Sequence, residues 1–328
     1  MMMRRHLIQA TLAVASSGPA RWAAAQSPPV EDAIWTDAQR SRALPVRLRW
    51  PADGSGQPPG GTPLVLFSHG LGGTRAGGEV WGQAWAAAGF VVLHLQHPGS
   101  DLPAVRREAG GFGNLAGLRD AVSPQQLRLR LGDVVFALDQ VAQLQAAGQG
   151  RWAGVRAQRV GMSGHSFGAH TTLGMAGLAY PGLPGLHEPR LAAFVAFSPA
   201  APAGAAEQAF AAITRPTLCI TGTLDGDVMG NGATPQRRLA AYAALPPGHK
   251  ALLLLQHADH LSFAGQTGPA TEIVPRQAVS LAHQARQHAL VAAVTTDWWR
   301  ATLRDDAAAR DRLLLPAGLA DGDVWQAG

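Results

Sequence analysis

Two hydrophobic rhythms alternate along the chain. Short continuous apolar runs, such as Pro63-Leu64-Val65-Leu66-Phe67-Ser68-His69 and Phe90-Val91-Val92-Leu93-His94-Leu95, predict strands covered on both faces, since a strand with one wet face would alternate. Similar runs occupy Arg159 to Ser163, Leu191 to Phe197, Thr217 to Thr221 and Ala251 to Leu255. Between them the spacing turns helical. Val80 to Ala88 forms one such stretch, ended by Gly89, and Pro235 to Leu245 another. The longest runs from an N-cap at Ser123 to Ala147, with Leu127, Leu131, Val134, Val135, Leu138 and Val141 at helical intervals. A last helix, carrying Leu281, Ala285, Leu290, Val291 and Trp298, is expected to close the chain. An alternating piece, Val46 to Trp50, leads into the first apolar run. Strands alternating with helices predict an α/β fold, a mostly parallel central sheet with helices on both faces. Residues 98–122, with Gly110-Gly111-Phe112-Gly113-Asn114, break the rhythm and are expected to form a loop or small cap. With no internal repeat and no later boundary, residues 26–328 read as one domain carrying that insertion.

Composition narrows the class. Hydrophobic residues make up 47% and charged ones 15%, a globular balance. The net charge of +5 comes almost wholly from arginine, Lys250 being the only lysine, and it is dispersed. Arg128 and Arg130, near Arg119, share a helical stretch with Asp120 and Asp133 and read as a solvated face, so nucleic acid is not expected as a partner. Cys219 stands alone in an apolar run and reads as a buried thiol. At the N-terminus, Arg4-Arg5, a short apolar stretch and Ala23-Ala24-Ala25 before Gln26 predict a signal peptide over residues 1–25. The expected location is therefore periplasmic or secreted, with the arginine pair pointing to the twin-arginine route. No later segment is apolar for long enough to predict stable membrane insertion.

The chemistry gathers at loops that follow strands. Gly164-His165-Ser166-Phe167-Gly168 fits G-x-S-x-G, between a strand-like piece and a small-residue helix, as a nucleophile elbow requires. The elbow strains the serine backbone and brings strand and helix together, which Gly161, Gly164 and Gly168 would permit. A base and an acid should follow on later strand ends, acid first. Past Thr217 to Thr221 stand Asp225 and Asp227, of which Asp225 comes sooner after the strand and Asp227 suits a turn role. Past Ala251 to Leu255 stand His257 and His260; His260 lies deeper in the loop, before Leu261 and Phe263. Asp259 is a fallback acid. An acyl-transfer oxyanion needs two backbone N–H donors. Phe167, next to the nucleophile, supplies one, and Leu71, in the loop Ser68-His69-Gly70-Leu71-Gly72-Gly73, the other. The H-x-x-H pairs His94/His97 and His257/His260 lack a third ligand, so no metal is expected. His69 and His165 are expected to hydrogen-bond near the elbow, and Trp81 and Trp85 to pack in the core in preference to lining a pocket with the loop at 98–122.

At these residues the chain resembles a known group. Phe67-Ser68-His69-Gly70-Leu71-Gly72 and Gly164-His165-Ser166-Phe167-Gly168 are similar to the oxyanion and nucleophile motifs of platelet-activating-factor acetylhydrolases and related dienelactone-hydrolase-like bacterial proteins. The resemblance implies an α/β-hydrolase fold, with Ser166 as nucleophile and the Leu71 and Phe167 amides as oxyanion hole. In the acetylhydrolases the acid follows the strand after the elbow helix. Here that place reads Ala196-Phe197-Ser198-Pro199-Ala200, without a carboxylate, which moves the acid one strand later to Asp225, as in dienelactone hydrolases. Dienelactone hydrolases carry cysteine at the elbow, and this chain carries serine.

The expected function is hydrolysis of a carboxylic ester, small or lipid-like, through an acyl-enzyme on Ser166, with no cofactor. An amidase, a lipase or a polyester hydrolase on the same triad, or a non-catalytic binding protein of this fold, are the alternatives.

Overall fold

Apolar runs with no wet face need a layer of helices on each side, and the computed structural model shows that arrangement. It describes residues 29–52, 60–107, 111, 114–202, 204, 206–226, 228, 232–266 and 276–328; the export segment and Asp227 lie outside them. The strands are β1 (Val30–Asp37), β2 (Arg42–Arg49), β3 (Thr62–Ser68), β4 (Val91–Leu95), β5 (Val155–His165), β6 (Leu191–Phe197), β7 (Thr217–Leu224), β8 (Lys250–Asp259) and β9 (Val324–Ala327). They form one sheet in the order β1-β2-β4-β3-β5-β6-β7-β8-β9. Pairing is parallel from β4 through β8 and antiparallel at both margins.

The helices are α1 (Glu79–Ala87), α2 (Leu102–Arg107), α3 (Leu115–Asp120), α4 (Pro124–Ala146), α5 (Phe167–Ala176), α6 (Ala206–Phe210), α7 (Pro235–Ala244), α8 (Ala278–Leu303) and α9 (Ala307–Arg312). Alternate strand residues divide between two cores. Leu64 and Leu66 of β3 join Met162, Leu131 and Leu173 under α4 and α5, while Val65 and Phe67 join Trp81, Trp85 and Trp299 under α1 and α8. This is the α/β sheet with helices on both faces that the sequence predicts. Trp81 and Trp85 are core residues as expected, and Ser123 caps α4 by accepting from the Gln126 N–H. Cys219 is buried, which pushes its thiol up to about 12.

Four features depart from the sequence reading. The chain continues past α8 into α9 and β9, whose Trp325 packs on the second core. Residues 98–122 contain two short helices, α2 and α3. β1 is an edge strand with Val30 and Ile34 exposed, so its apolar residues mark no buried face. Most consequential, Arg130 is not on a solvated face: it is 0% exposed, whereas Arg128 is exposed. Position 130 lies three residues after Leu127 and four before Val134, inside the buried stripe of α4.

Candidate active site

β5 delivers the chain to Ser166 at the centre of the sheet, and α5 begins at the next residue. Ser166 takes φ 56° and ψ −113°, a conformation that costs a non-glycine residue about 1–3 kcal/mol and persists only where packing enforces it. The flanking glycines show why it is enforced. A Cβ on Gly168 would sit 1.9 Å from the Ser68 carbonyl oxygen, and one on Gly164 would sit 2.3 Å from the Gly168 carbonyl oxygen. Gly161 serves a different contact, since a Cβ there would meet the Trp299 ring of α8 at 2.8 Å.

The structure brings three of the sequence-predicted residues into one chain of hydrogen bonds. Ser166 Oγ lies 2.9 Å from His260 Nε2, and His260 Nδ1 lies 2.9 Å from Asp225 Oδ1. Ser166 is half-buried, His260 is buried and Asp225 is 0% exposed. Asp225 lies just past β7, where Thr221 donates to its Oδ2 at 2.8 Å. Burial works against the Asp225 charge, but the bond from His260 and the nearby Arg238 guanidinium hold its carboxyl below the ordinary range. Neither rival residue enters this chain. Asp259 accepts from Ser262 in a capping box and pairs with Arg276 at 2.8 Å, and His257 stacks on His283.

Arg238 of α7 was not singled out in the sequence. It is 3% exposed, its Nε lies 2.6 Å from Asp225 Oδ1, and its Nη1 donates to the Ser198 carbonyl at 2.7 Å. Its Nη2 also approaches His260 Nδ1 at 3.0 Å. With the Nδ1 proton donated to Asp225, that approach is packing between two donors. Arg238 thus ties the end of β6 to the end of β7. The only sequence sign of it is the arginine pair 237–238 on a short helix, which reads equally well as solvated.

The loop after β3 passes beside the elbow. Gly70 abuts Ser166, a Cβ there meeting Ser166 Cβ at 3.4 Å. Among the described residues, neither the Leu71 nor the Phe167 backbone N–H has a protein acceptor. Leu71 and Phe167, with Leu118 and Val122 from the insertion, Leu127 from α4 and Pro181, line a cavity of about 540 Å³ whose wall holds Ser166 and His260. The sequence expectation for His165 and His69 holds. His165 Nε2 lies 2.9 Å from the His260 carbonyl and His69 Nδ1 lies 2.6 Å from the Gly70 carbonyl. Burial keeps both imidazoles well below the usual histidine range, hence neutral.

Behind that loop lies a second Ser–His–Asp string. Ser68 Oγ is 2.9 Å from His97 Nε2, and His97 Nδ1 is 3.0 Å from Asp133 Oδ2, with Arg40 and Arg42 also on Asp133. All three residues are 0% exposed and none lines the cavity, so no substrate reaches them. Among the described residues, no three His, Cys, Asp or Glu side chains cluster as metal ligands, and no helix is long and apolar enough to cross a membrane.

Residues 42–104 match the family model of platelet-activating factor acetylhydrolase, isoform II. The matched segment runs from β2 to the start of α2 and contains the loop that passes the elbow. It bears out the resemblance read from Phe67 to Gly72, and the sheet agrees with the α/β-hydrolase fold of that family. Ser166, Asp225 and His260 lie beyond the match. No curated protein matches the chain significantly.

Proposed function

We propose that this protein is a serine hydrolase cleaving carboxylic esters by a two-step acyl transfer. A serine ester hydrolase is the activity that the acetylhydrolase family match supports in general terms. The observation that carries the reading is the unbroken chain Ser166 Oγ, His260 Nε2, His260 Nδ1, Asp225 Oδ1, with 2.9 Å at each junction, in the wall of an apolar cavity. Ser166 Oγ attacks the ester carbonyl carbon while its proton passes to His260 Nε2, and Asp225 holds the imidazole tautomer and stabilises its cation. The carbonyl oxygen takes up the displaced electron pair and is held by the Leu71 and Phe167 amides, with the N-terminal end of α5 adding its dipole. The C–O bond to the alcohol breaks, His260 protonates the leaving alkoxide, and water activated by His260 then releases the acid.

The cavity's lining, with Leu71, Leu118, Val122, Leu127 and Phe167 beside Ser166, supports an ester whose groups near the carbonyl are apolar, and Arg237 and Arg238 also contribute to its wall. Purified protein assayed on p-nitrophenyl esters of increasing acyl length tests the reading. A maximum at short to medium chains, abolished in Ser166→Ala, is the expected result. Equal rates in wild type and Ser166→Ala would overturn it.

A further inference from the structure

The buried arginine of α4 touches the Gly70–Leu71 peptide and the side chain of Phe167, the two places from which the proposed mechanism takes its oxyanion donors. Arg130 Nη1 donates to the His69 carbonyl at 2.7 Å, and Nη2 donates to the Gly70 carbonyl at 3.4 Å. Its Nε is anchored on Ser100 Oγ at 2.8 Å, and the guanidinium lies 4.2 Å from the centre of the Phe167 ring. His69 adds a second grip. The His97 N–H donates to His69 Nε2 at 3.0 Å, which fixes the tautomer with the proton on Nδ1, and Nδ1 donates to the same Gly70 carbonyl at 2.6 Å.

A trans peptide points its C=O and N–H to opposite sides. With the Gly70 oxygen gathered by donors on the α4 side, the Leu71 N–H is turned the other way and left without a protein acceptor. Burying a guanidinium is expensive unless its charge is matched. Among the described residues Arg130 forms no direct ion pair: Asp133 and Asp101 attract its charge without touching it, and Asp133 is in contact with His97, Arg40 and Arg42. The guanidinium is directed instead at two carbonyls, the hydroxyls of Ser100 and Ser68, and an aromatic face. We infer that Arg130 is the positioning residue of the oxyanion hole, orienting the Leu71 N–H through the Gly70 carbonyl and seating Phe167 through its ring. The inference rests on the ester-hydrolase reading above.

The oxyanion is present only in the tetrahedral species, so loss of this positioning lowers kcat and leaves KM nearly alone. Phenylboronic acid offers a second readout. Ser166 Oγ bonds to boron, its proton passes to His260, and the resulting tetrahedral boronate places an oxygen in the hole. In Arg130→Lys and Arg130→Met, kcat on p-nitrophenyl butyrate is expected to fall about 10²-fold with KM within about twofold, and the boronate inhibition constant to rise by a similar factor. Unchanged kcat, or a lower kcat with unchanged boronate affinity, would overturn the inference. Should neither Arg130 variant fold, Ser100→Ala removes the Nε anchor and, with it, the Ser100 hydroxyl's bond to the His97 carbonyl at 3.3 Å. It is expected to move kcat and boronate affinity together by about five- to tenfold, and no movement would count against the role. A wild-type protein without esterase activity would remove the functional reading itself; an active wild type beside insensitive variants removes only the role of Arg130.

Discussion

His260 Nδ1 meets the carboxylate of Asp225 at a distance of 2.9 Å, and Asp225 follows β7, one strand beyond Ser198, which follows β6. Neighbouring parallel strands bring their C-terminal ends to the same edge of the sheet, so an acid on either can approach the same imidazole. Asp225→Asn should therefore lower kcat about 10⁴-fold with little change in KM, since the amide no longer favours the productive tautomer or stabilises its cation. Asp227→Asn should stay active. An inactive Asp227→Asn beside a fully active Asp225→Asn would move the acid.

Asp259 supplies the contrast. Its bonds go to Ser262 and Arg276, on the loop that presents His260. Asp259→Asn should cost on the order of 1 kcal/mol in urea unfolding and leave kcat within a few-fold. A loss of kcat as large as that of Asp225→Asn would contradict this assignment.

Gly168 tests the elbow. The atom that a Cβ would strike at 1.9 Å is backbone, the Ser68 carbonyl, and cannot swing aside. Gly168→Ala should destabilise by more than about 3 kcal/mol or prevent folding, and any protein recovered should be inactive. A variant with wild-type melting temperature and activity would show that the strand and helix do not approach as described.

The part of this arrangement readable from sequence is the part set by burial and order. β3 through β8 announced themselves because each is covered on both faces, and Ser166, Asp225 and His260 follow from strand–loop succession. β1 and β9 did not, because marginal strands with exposed apolar residues carry no two-sided signal. Arg130 was misread because charge was weighed above position on the stripe of α4. The string Ser68–His97–Asp133 has no local signature at all: its members come from three elements, and only the fold brings them together.

Acid stability follows from the buried histidines. Burial holds His94 down to about 3 and His97 and His170 to about 4, against 6.5 for an unburied imidazole. Each is neutral in the fold and takes up a proton on unfolding, so its contribution is complete above pH 6.5 and is lost as pH falls from there toward 4. The slope approaches about 1.4 kcal/mol per pH unit for each histidine. Asp133, held at about 2, starts to withdraw its own contribution only below its unfolded value of 3.8. Melting temperature should thus drop between pH 6.5 and 4, less steeply in His94→Gln. A melting temperature constant over that range would contradict the neutral buried imidazoles.

Among the described residues two serines face a histidine that faces an aspartate, and of these Ser166 is the one placed against the cavity. Fluorophosphonate labelling of the wild-type protein, followed by peptide mapping, therefore tests the central claim most directly. The label should fall on the peptide containing Ser166, at one equivalent, and be absent from Ser166→Ala. Label on Ser68 or on any other serine, or undiminished labelling of Ser166→Ala, would contradict the assignment of Ser166 as the nucleophile.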